Sequence, residues 1–248
     1  MKIVAIIQAR MGSTRLPGKV MKSLCGHSVL AHVIYRARAC HLVDEVVVAT
    51  TTAPADDLIE AECRRVGATV FRGSEEDVLA RYYHAACTVD ADVVVRITSD
   101  CPLFDPQVLE EMLSRFLGGG GDVDFPDYFS NTLTRTYPRG LDAEIFTFAA
   151  LERAFDEAEE PFEREHVTPY FYQQPDLFST DGLTNDRDWS EYRWTLDAED
   201  DWTLIEEIYT RLFSPGRLFT TGEVVALMDR HPELVLLNAH VEQKKLGE

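Results

Sequence analysis

A loop rich in glycine, hydroxyl and basic side chains follows the first apolar run of the sequence. Residues 8–19 read QARMGSTRLPGK, with cations and glycines at Arg10, Gly12, Arg15, Gly18 and Lys19. Glycine lets backbone N–H groups approach phosphate oxygens closely, and arginine binds such oxygens through paired hydrogen bonds. The spacing fits neither a P-loop nor G-x-G-x-x-G, so no dinucleotide cofactor is indicated. The loop predicts a small polyanionic ligand, and a solvated basic loop is the alternative.

Two carboxylates follow other apolar runs. Asp100 lies in RITSDCPL at 96–103, and Asp197 lies in WTLDAED at 194–200. Mg²⁺ bound to phosphates usually takes one or two carboxylates, so Asp100 and Asp197 are candidate metal ligands. Asp197 also precedes a predicted helix, where a carboxylate often caps the first turn. Metal binding and helix capping both stay open for Asp197 at this point.

These candidates need a sheet that brings several strand ends together. Apolar, β-branched runs predict strands at 2–8, 45–50, 69–71 and 92–97, and amphipathic spacing predicts helices at 28–40, 54–66 and 75–87. Alternation of this kind is typical of a doubly wound α/β fold with a parallel sheet, which binds ligands at the carboxyl ends of its strands. We therefore expect the basic loop and Asp100 to share one edge.

The regular alternation ends after a predicted helix at 106–117. Glycines at 118–121 indicate a connection, and we interpret 122–188 as an acceptor-binding insertion within a single domain, 1–248. The patterns in the second half predict strands at 124–129, 143–148 and 192–196, and helices at 149–159, 163–172, 200–213 and 222–230.

Composition limits the class of function. The 248 residues carry a net charge of −19, which argues against a general nucleic-acid binder. No acidic residue precedes Asp44, however, so the basic residues of the first segment form a positive island. Five widely spaced cysteines without a C-x-x-C pair do not indicate disulfides or structural zinc, and no run is long enough for a signal peptide or membrane span. We expect a cytoplasmic protein without membrane contact.

The loop QARMGSTRLPGK resembles the signature of cytidylyltransferases that activate acidic sugars, a family that includes the CMP-sugar and acylneuraminate synthetases. Four further segments resemble the branch of the spore coat polysaccharide biosynthesis protein F: FRGSEEDVLARYY at 71–83, RITSDCPL at 96–103, YPRGLDAE at 137–144 and EREHVTPY at 163–170. The resemblance implies a three-layer α/β/α, Rossmann-like nucleotidyltransferase, similar to GT-A enzymes, with a largely parallel, mixed sheet. It also implies CTP as substrate, Mg²⁺ as cofactor and a homodimer.

The resemblance further implies roles for individual residues. Nucleotide binding falls to Gln8, Ala9, Arg10, Gly12, Ser13, Arg15, Lys19 and Arg96, catalysis to Arg10, Lys19 and Asp100, and the metal to Asp100 and Asp197. The reaction would transfer CMP to a sugar for surface polysaccharide or glycoconjugate biosynthesis. The segment TSDCP departs from the Gln-Gly-Asp-x-Pro segment of the octulosonate enzymes, which leaves the acceptor open.

Recognition of an acidic sugar needs a cation, and Arg139 is the candidate to bind its carboxylate through two parallel hydrogen bonds. The other candidate acceptor-binding residues are Asn131, Asp142, Glu144 and His166, although Glu144 and His166 could instead order the insertion.

Two other functions remain open. Asp122-Val123-Asp124 has the D-x-D form of a glycosyltransferase metal motif, and a non-catalytic nucleotide-binding module is the alternative to any enzyme.

Overall fold

The computed structural model describes residues 1–118 and 125–243. Its strands are β1 (Ile3–Gln8), β2 (Ser23–Leu24), β3 (His27–Ser28), β4 (Glu45–Thr51), β5 (Thr69–Gly73), β6 (Val93–Thr98), β7 (Tyr128–Ser130), β8 (Glu144–Thr147) and β9 (Thr180–Gly182). The α-helices are α1 (Val29–Arg38), α2 (Asp57–Val66), α3 (Val78–Thr88), α4 (Pro106–Gly118), α5 (Phe148–Glu157), α6 (Pro161–His166), α7 (Pro169–Tyr172), α8 (Glu199–Leu212) and α9 (Thr221–Arg230). Short 3₁₀ helices occupy Lys19–Met21, Pro54–Asp56 and Pro232–Leu237.

Within the described ranges, seven strands form one sheet in the order β5-β4-β1-β6-β8-β7-β9. Strands β5, β4, β1 and β6 are parallel, whereas β8 is antiparallel to both β6 and β7. The strand order reverses at β1, because the chain continues to β4 and β5 on one side and to β6 on the other. Open α/β sheets bind ligands in the crevice at such a reversal. The predicted mixed, largely parallel sheet is confirmed.

The sheet is covered on both faces, as its nearly continuous apolar strands require. In β1, Ile3, Ala5 and Ile7 pack into a core with side chains of α1, α4, α8 and α9. Val4 and Ile6 point the other way and pack with α3 and α5. The predicted three-layer α/β/α architecture is therefore confirmed. Among the described helices, none has the length and apolar character that crossing a membrane requires.

The prediction of a strand at 192–196 is wrong. Its backbone donors are divided between two other segments: the Trp194 N–H donates to the Arg139 carbonyl over 2.6 Å, and the Leu196 N–H donates to the Asp100 carbonyl over 2.8 Å. A strand needs one continuous partner, so only a single parallel bridge forms. The segment instead connects the loop after β6 with the loop before β8.

Two further predicted elements are corrected. The helix predicted at 163–172 is divided into α6 and α7, because Pro169 has no N–H to donate and restricts the residue before it. Val167, between the two helices, takes a positive φ of 73°. The strand predicted at 124–129 begins only at Tyr128. Residue 124, the D-x-D motif at 122–124 and most of the glycine run lie outside the described residues.

Candidate active site

The basic loop and the Asp100 loop begin side by side at the strand reversal. Gln8 and Thr98, the last residues of β1 and β6, are register partners. The Ser99 N–H continues the pairing by donating to the Gln8 carbonyl over 3.1 Å. Both loops therefore leave the sheet at the same point of its carboxyl edge, as the alternation of strands and helices predicts.

The loop after β1 is fixed by hydrogen bonds to its own backbone and to a buried carboxylate. Asp56 Oδ1 accepts from the Met11 N–H over 2.7 Å, and Asp56 Oδ2 accepts from the Thr51 hydroxyl. The Gly18 N–H donates back to the Met11 carbonyl over 3.2 Å. Gly18 has a φ of 68°, a left-handed conformation that glycine adopts without steric cost. The loop returns on itself here and leads into Lys19.

Lys19 joins the two predicted metal carboxylates. Its Nζ lies 2.7 Å from Asp100 Oδ2 and 2.8 Å from Asp197 Oδ1. Arg15 approaches the other oxygen of Asp197, with Nη2 3.1 Å from Oδ2. Because both carboxylates contact one nitrogen atom, they are close enough to share a single cation. The structure thus brings together side chains that are 81 and 178 positions apart from Lys19 in sequence.

The charges of this group stabilise one another. Burial by itself favours the neutral form of Lys19, but the charges and hydrogen bonds of Asp100 and Asp197 outweigh it and raise the pKa of Lys19 above its ordinary value. Burial likewise opposes ionisation of Asp100, yet the charge and hydrogen bond of Lys19 lower the pKa of Asp100 below its ordinary value. The Lys19 ammonium group and the Asp100 carboxylate are therefore both charged at neutral pH.

Asp197 does not cap helix α8. The Asp197 and Ala198 N–H groups both donate to Asp201 Oδ2 over 2.9 Å, so Asp201, in the first turn of α8, is the residue that accepts from the backbone leading into the helix. Asp197 is left with both oxygens in contact with cations. The sequence left metal binding and helix capping open for Asp197. The capping interpretation is wrong, because Asp201 has that role.

The remaining nucleotide-binding candidates lie in different surroundings. Arg10 is exposed and lies 3.9 Å from Glu75, and Gly12 is also exposed. Ala9 is buried and extends the β1 ladder. Gln8 Oε1 is buried, and no described residue hydrogen bonds to it. Arg10 therefore keeps polar atoms that a ligand can contact, whereas Gln8 Oε1 is enclosed by the protein.

Arg96 is engaged within the sheet. It lies opposite Glu144 in the register of β6 and β8, and its Nη1 donates to Glu144 Oε2. Tyr128 donates to the other oxygen, Oε1, over 2.6 Å. Burial opposes the charge of Arg96, but Glu144 outweighs it and raises the pKa of Arg96. Arg96 and Glu144, predicted to bind two different substrates, thus pair with each other.

His166 lies at the end of α6 and is half-buried. Burial, with a smaller contribution from the positive charge of Arg96, lowers the pKa of His166 although Glu165 and Glu144 oppose the shift. The imidazole is therefore neutral at neutral pH. A neutral imidazole can both donate and accept a hydrogen bond, as recognition of a hydroxyl group requires.

Two acceptor candidates are occupied by contacts within the loop before β8. Asn131 is fully buried, donates to the Leu141 carbonyl over 2.8 Å and accepts from the Ala143 N–H over 3.1 Å. Asp142 accepts both Nη groups of Arg135, over 2.7 and 2.9 Å. These contacts make Asn131 an organiser of the loop and do not support direct contact between Asn131 and an acceptor.

Arg139 makes no side-chain hydrogen bond or ion pair to any described residue, unlike Arg135 beside it. Burial and the charges of Arg135 and Arg193 lower the pKa of Arg139, with Asp142 opposing them. The next residue, Gly140, has a φ of 105°, and a Cβ there would lie 2.5 Å from the Trp194 carbonyl carbon. Glycine at this crossing lets the backbone hold Arg139 against the segment that leads to Asp197.

Sequence reasoning missed several residues of the site. Asp56 orders the basic loop, Asp201 caps α8, and Arg193 donates to Asp197 Oδ2 over 2.9 Å. Arg193 and Asp201 stand four positions from Asp197 on either side, but such charges are common near a helix start. The residue pattern therefore held no signal that separates them from solvent-exposed charges.

Fold and site together define a class of protein. A three-layer α/β/α sheet carries, at its strand reversal, a cationic loop and two carboxylates gathered around one lysine. Open α/β proteins of this kind bind their ligands in that crevice, and a cationic loop there suits a phosphorylated ligand.

The sequence model of the cytidylyltransferase family matches residues 4–214, and the chain belongs to this family. It is 33% identical over 238 residues to the spore coat polysaccharide biosynthesis protein SpsF of Bacillus subtilis, covering 93% of this chain and 95% of that protein. It is 36% identical over 123 residues to the 3-deoxy-manno-octulosonate cytidylyltransferase of Trichlorobacter lovleyi, covering 49% of this chain and 47% of that protein. A solved cytidylyltransferase structure from Leptospira borgpetersenii superposes with a TM-score of 0.89, at 34% identity and 99% coverage of both chains. The predicted family membership is confirmed.

Proposed function

We propose that this protein is a CTP-dependent sugar cytidylyltransferase, which transfers CMP from CTP to a hydroxyl group of an acidic or amino sugar. The observation that carries the proposal is the meeting of Lys19, Asp100 and Asp197 at the strand reversal. Relatives named for spore coat polysaccharide biosynthesis and for a cytidylyltransferase of 3-deoxy-manno-octulosonate support a sugar as acceptor.

The residues present suit Mg²⁺. Asp100 and Asp197 already surround a cation, the Lys19 ammonium group. Among the described residues, no group of three or more His, Cys, Asp or Glu side chains is placed to hold a metal. Mg²⁺ needs no such group, because it binds through one or two carboxylates and takes its other ligands from phosphates and water. Asp100 and Asp197 would hold the ion, which supplies neutralisation of phosphate charge.

In the proposed reaction, the acceptor hydroxyl oxygen forms a bond to the α-phosphorus of CTP. The bond from that phosphorus to the oxygen bridging the β-phosphate breaks, pyrophosphate leaves with the electron pair, and the hydroxyl proton passes to water. Such transfers depend on in-line positioning and on stabilising charge at the phosphates. Arg10, Arg15 and Lys19 contribute positive charge at the leaving pyrophosphate.

Arg139 is the candidate contact for an acidic acceptor. Its guanidinium group has no anionic partner among the described side chains, and Arg135 and Arg193 add positive charge nearby. A carboxylate would satisfy this group through two parallel hydrogen bonds. Arg139 therefore favours an acidic sugar over an amino sugar.

The proposal is tested by incubating the protein with CTP, UTP, GTP or ATP, each with Mg²⁺ and a panel of free acidic and amino sugars. We expect pyrophosphate release that requires both CTP and an acidic sugar and that stops when a chelator removes Mg²⁺. Consumption of a finished nucleotide sugar, or nucleotide binding without turnover across the panel, would contradict it. Light scattering on the same sample checks the homodimer, which stays a prediction.

A further inference from the structure

A buried network connects Asp197 with the C-terminal segment of the chain. Its centre is Asp201, which is 0% exposed. Asp201 Oδ2 accepts from the Asp197 and Ala198 N–H groups, and Oδ1 accepts from Asn238 Nδ2 over 2.8 Å. Arg193 donates to both oxygens, through Nε over 2.9 Å and Nη2 over 3.1 Å. Each oxygen of this buried carboxylate therefore has partners, which offset the free energy that burying a polar group costs.

Arg193 carries the connection to the site. Its side chain is 8% exposed, and the Nη2 that contacts Asp201 also donates to Asp197 Oδ2 over 2.9 Å. Nη1 donates to Gln243 Oε1 over 2.7 Å. The Arg193 carbonyl accepts from Asn238 Nδ2 over 2.9 Å, so side chain and backbone are both fixed. With Arg193 on Oδ2, Asp197 turns its Oδ1 toward Lys19.

Asn238 and Gln243 lie outside the part of the chain that matches the family model, which ends at residue 214. They follow α9 and the 3₁₀ helix Pro232–Leu237. The segment that contains them contacts both the side chain and the backbone carbonyl of Arg193. One predicted metal carboxylate is thus connected, through Arg193, with residues about 40 positions beyond it, by contacts that a helix cap alone does not require.

We propose that Arg193, held by Asp201 and Asn238, is a positioning residue that fixes the Asp197 carboxylate for the metal–nucleotide complex. The C-terminal segment is then part of the active-site structure. The inference rests on the proposed function, because it assigns Asp197 to the metal. Groups that orient a metal ligand without touching the metal typically change metal affinity by about 10-fold to 100-fold when removed.

The test measures Mn²⁺ binding by electron paramagnetic resonance in the presence of CTP and without sugar, so that no turnover is needed. Asn238→Ala removes the donor to Asp201 and to the Arg193 carbonyl, and we expect the Kd of Mn²⁺ to rise about 10-fold. We also expect kcat to fall by a similar factor while the KM of the sugar stays within about a factor of two. Arg193→Lys keeps the charge but cannot fork between two carboxylates, so we expect an equal or larger rise in Kd.

His240→Ala is the matched control. His240 lies two positions from Asn238 and pairs with exposed Asp200 at the same helix start, without touching Arg193. We expect wild-type Mn²⁺ affinity from this variant. Unchanged Mn²⁺ affinity in a folded Asn238→Ala protein would overturn the inference and leave the network a helix cap. A wild-type protein that binds no Mn²⁺ with CTP would instead overturn the proposed function, and the inference with it.

Discussion

The carboxyl edge of the parallel strands and the region from Phe125 to Asp188 hold their polar side chains in different ways. At the parallel edge, Lys19 gathers two carboxylates from distant loops into one charged group. In the region 125–188, the polar residues pair mostly with each other: Asp142 with Arg135, Glu144 with Arg96 of β6 and Tyr128. Arg139, whose guanidinium group is unengaged by the described side chains, does not follow this pattern.

The difference follows from backbone geometry. Parallel strands end at one edge, so loops that follow them meet regardless of their distance in sequence. The region 125–188 instead has short strands, partly antiparallel pairing and one predicted helix divided into two short ones, and its polar groups must satisfy the irregular backbone around them. Asn131, whose amide bonds entirely to the backbone of its own loop, shows this. Residue type alone therefore predicts more reliably at the parallel edge which side chains come together.

The largest effect is expected from Asp100→Asn, which keeps the side-chain shape and removes the charge beside Lys19. Turnover should fall about 100-fold or more, because the proposed Mg²⁺ loses a ligand and no longer neutralises the phosphate charge, while the fold is kept. Pyrophosphate release and thermal unfolding measure the two quantities. Asp92→Asn is the control, since Asp92 lies at the opposite end of β6 and bonds to the Lys2 N–H. Equal losses of turnover in both variants would show that the carboxyl edge of the sheet is no more important for activity than the opposite edge.

The next effect concerns the unengaged guanidinium group. Arg139→Lys should raise the KM of the sugar about tenfold and leave CTP affinity within about a factor of two, because Lys cannot pair with a carboxylate in a bidentate way. Steady-state kinetics and calorimetry separate these quantities, and exposed Arg187→Lys serves as control. Loss of CTP affinity with an unchanged sugar KM would mean that the region around Arg139 binds the nucleotide.

A smaller effect on CTP affinity is expected from Asp56, which orders the loop after β1. Asp56→Asn removes the charge that the Met11 N–H and the Thr51 hydroxyl contact. A contact weakened by about 1 kcal/mol would lower CTP affinity about fivefold, measured by calorimetry. The neighbouring Asp57→Asn changes an exposed carboxylate paired with Arg72 and should bind CTP like the wild type. Identical affinities in all three proteins would show that Asp56 does not order the loop for binding.

The smallest effect is a pH dependence in the region 125–188. The pKa of His166 is lowered, chiefly by burial, so the folded protein favours the neutral imidazole. The associated stability is present above the unfolded-state pKa of about 6.5 and is lost as pH falls through the lower folded-state pKa. An NMR titration of His166, assigned by comparison with His166→Gln, should give a midpoint below about 6.5. A midpoint above that value would mean that Glu144 and Glu165 outweigh burial.

The sequence by itself determined the strands of the parallel edge, the loops that follow them and their common location. Apolar runs covered on both faces and helical spacing between them are local patterns, and topology then fixes which loops meet. The candidates Arg10, Lys19, Asp100 and Asp197 could be named because each follows a predicted strand or lies at a predicted strand's end. The segment predicted as the last of these strands forms no strand, yet the Leu196 N–H donates to the Asp100 carbonyl and brings Asp197 to the edge.

The tertiary structure alone decided which charges face one another. Lys19 lies between both carboxylates, Asp201 and not Asp197 caps α8, and Arg96 pairs with Glu144 across two antiparallel strands. Buried charges are stabilised only by partners at hydrogen-bond distance, and those partners come from any part of the chain. No local spacing encodes such a choice, because it depends on how separate elements pack.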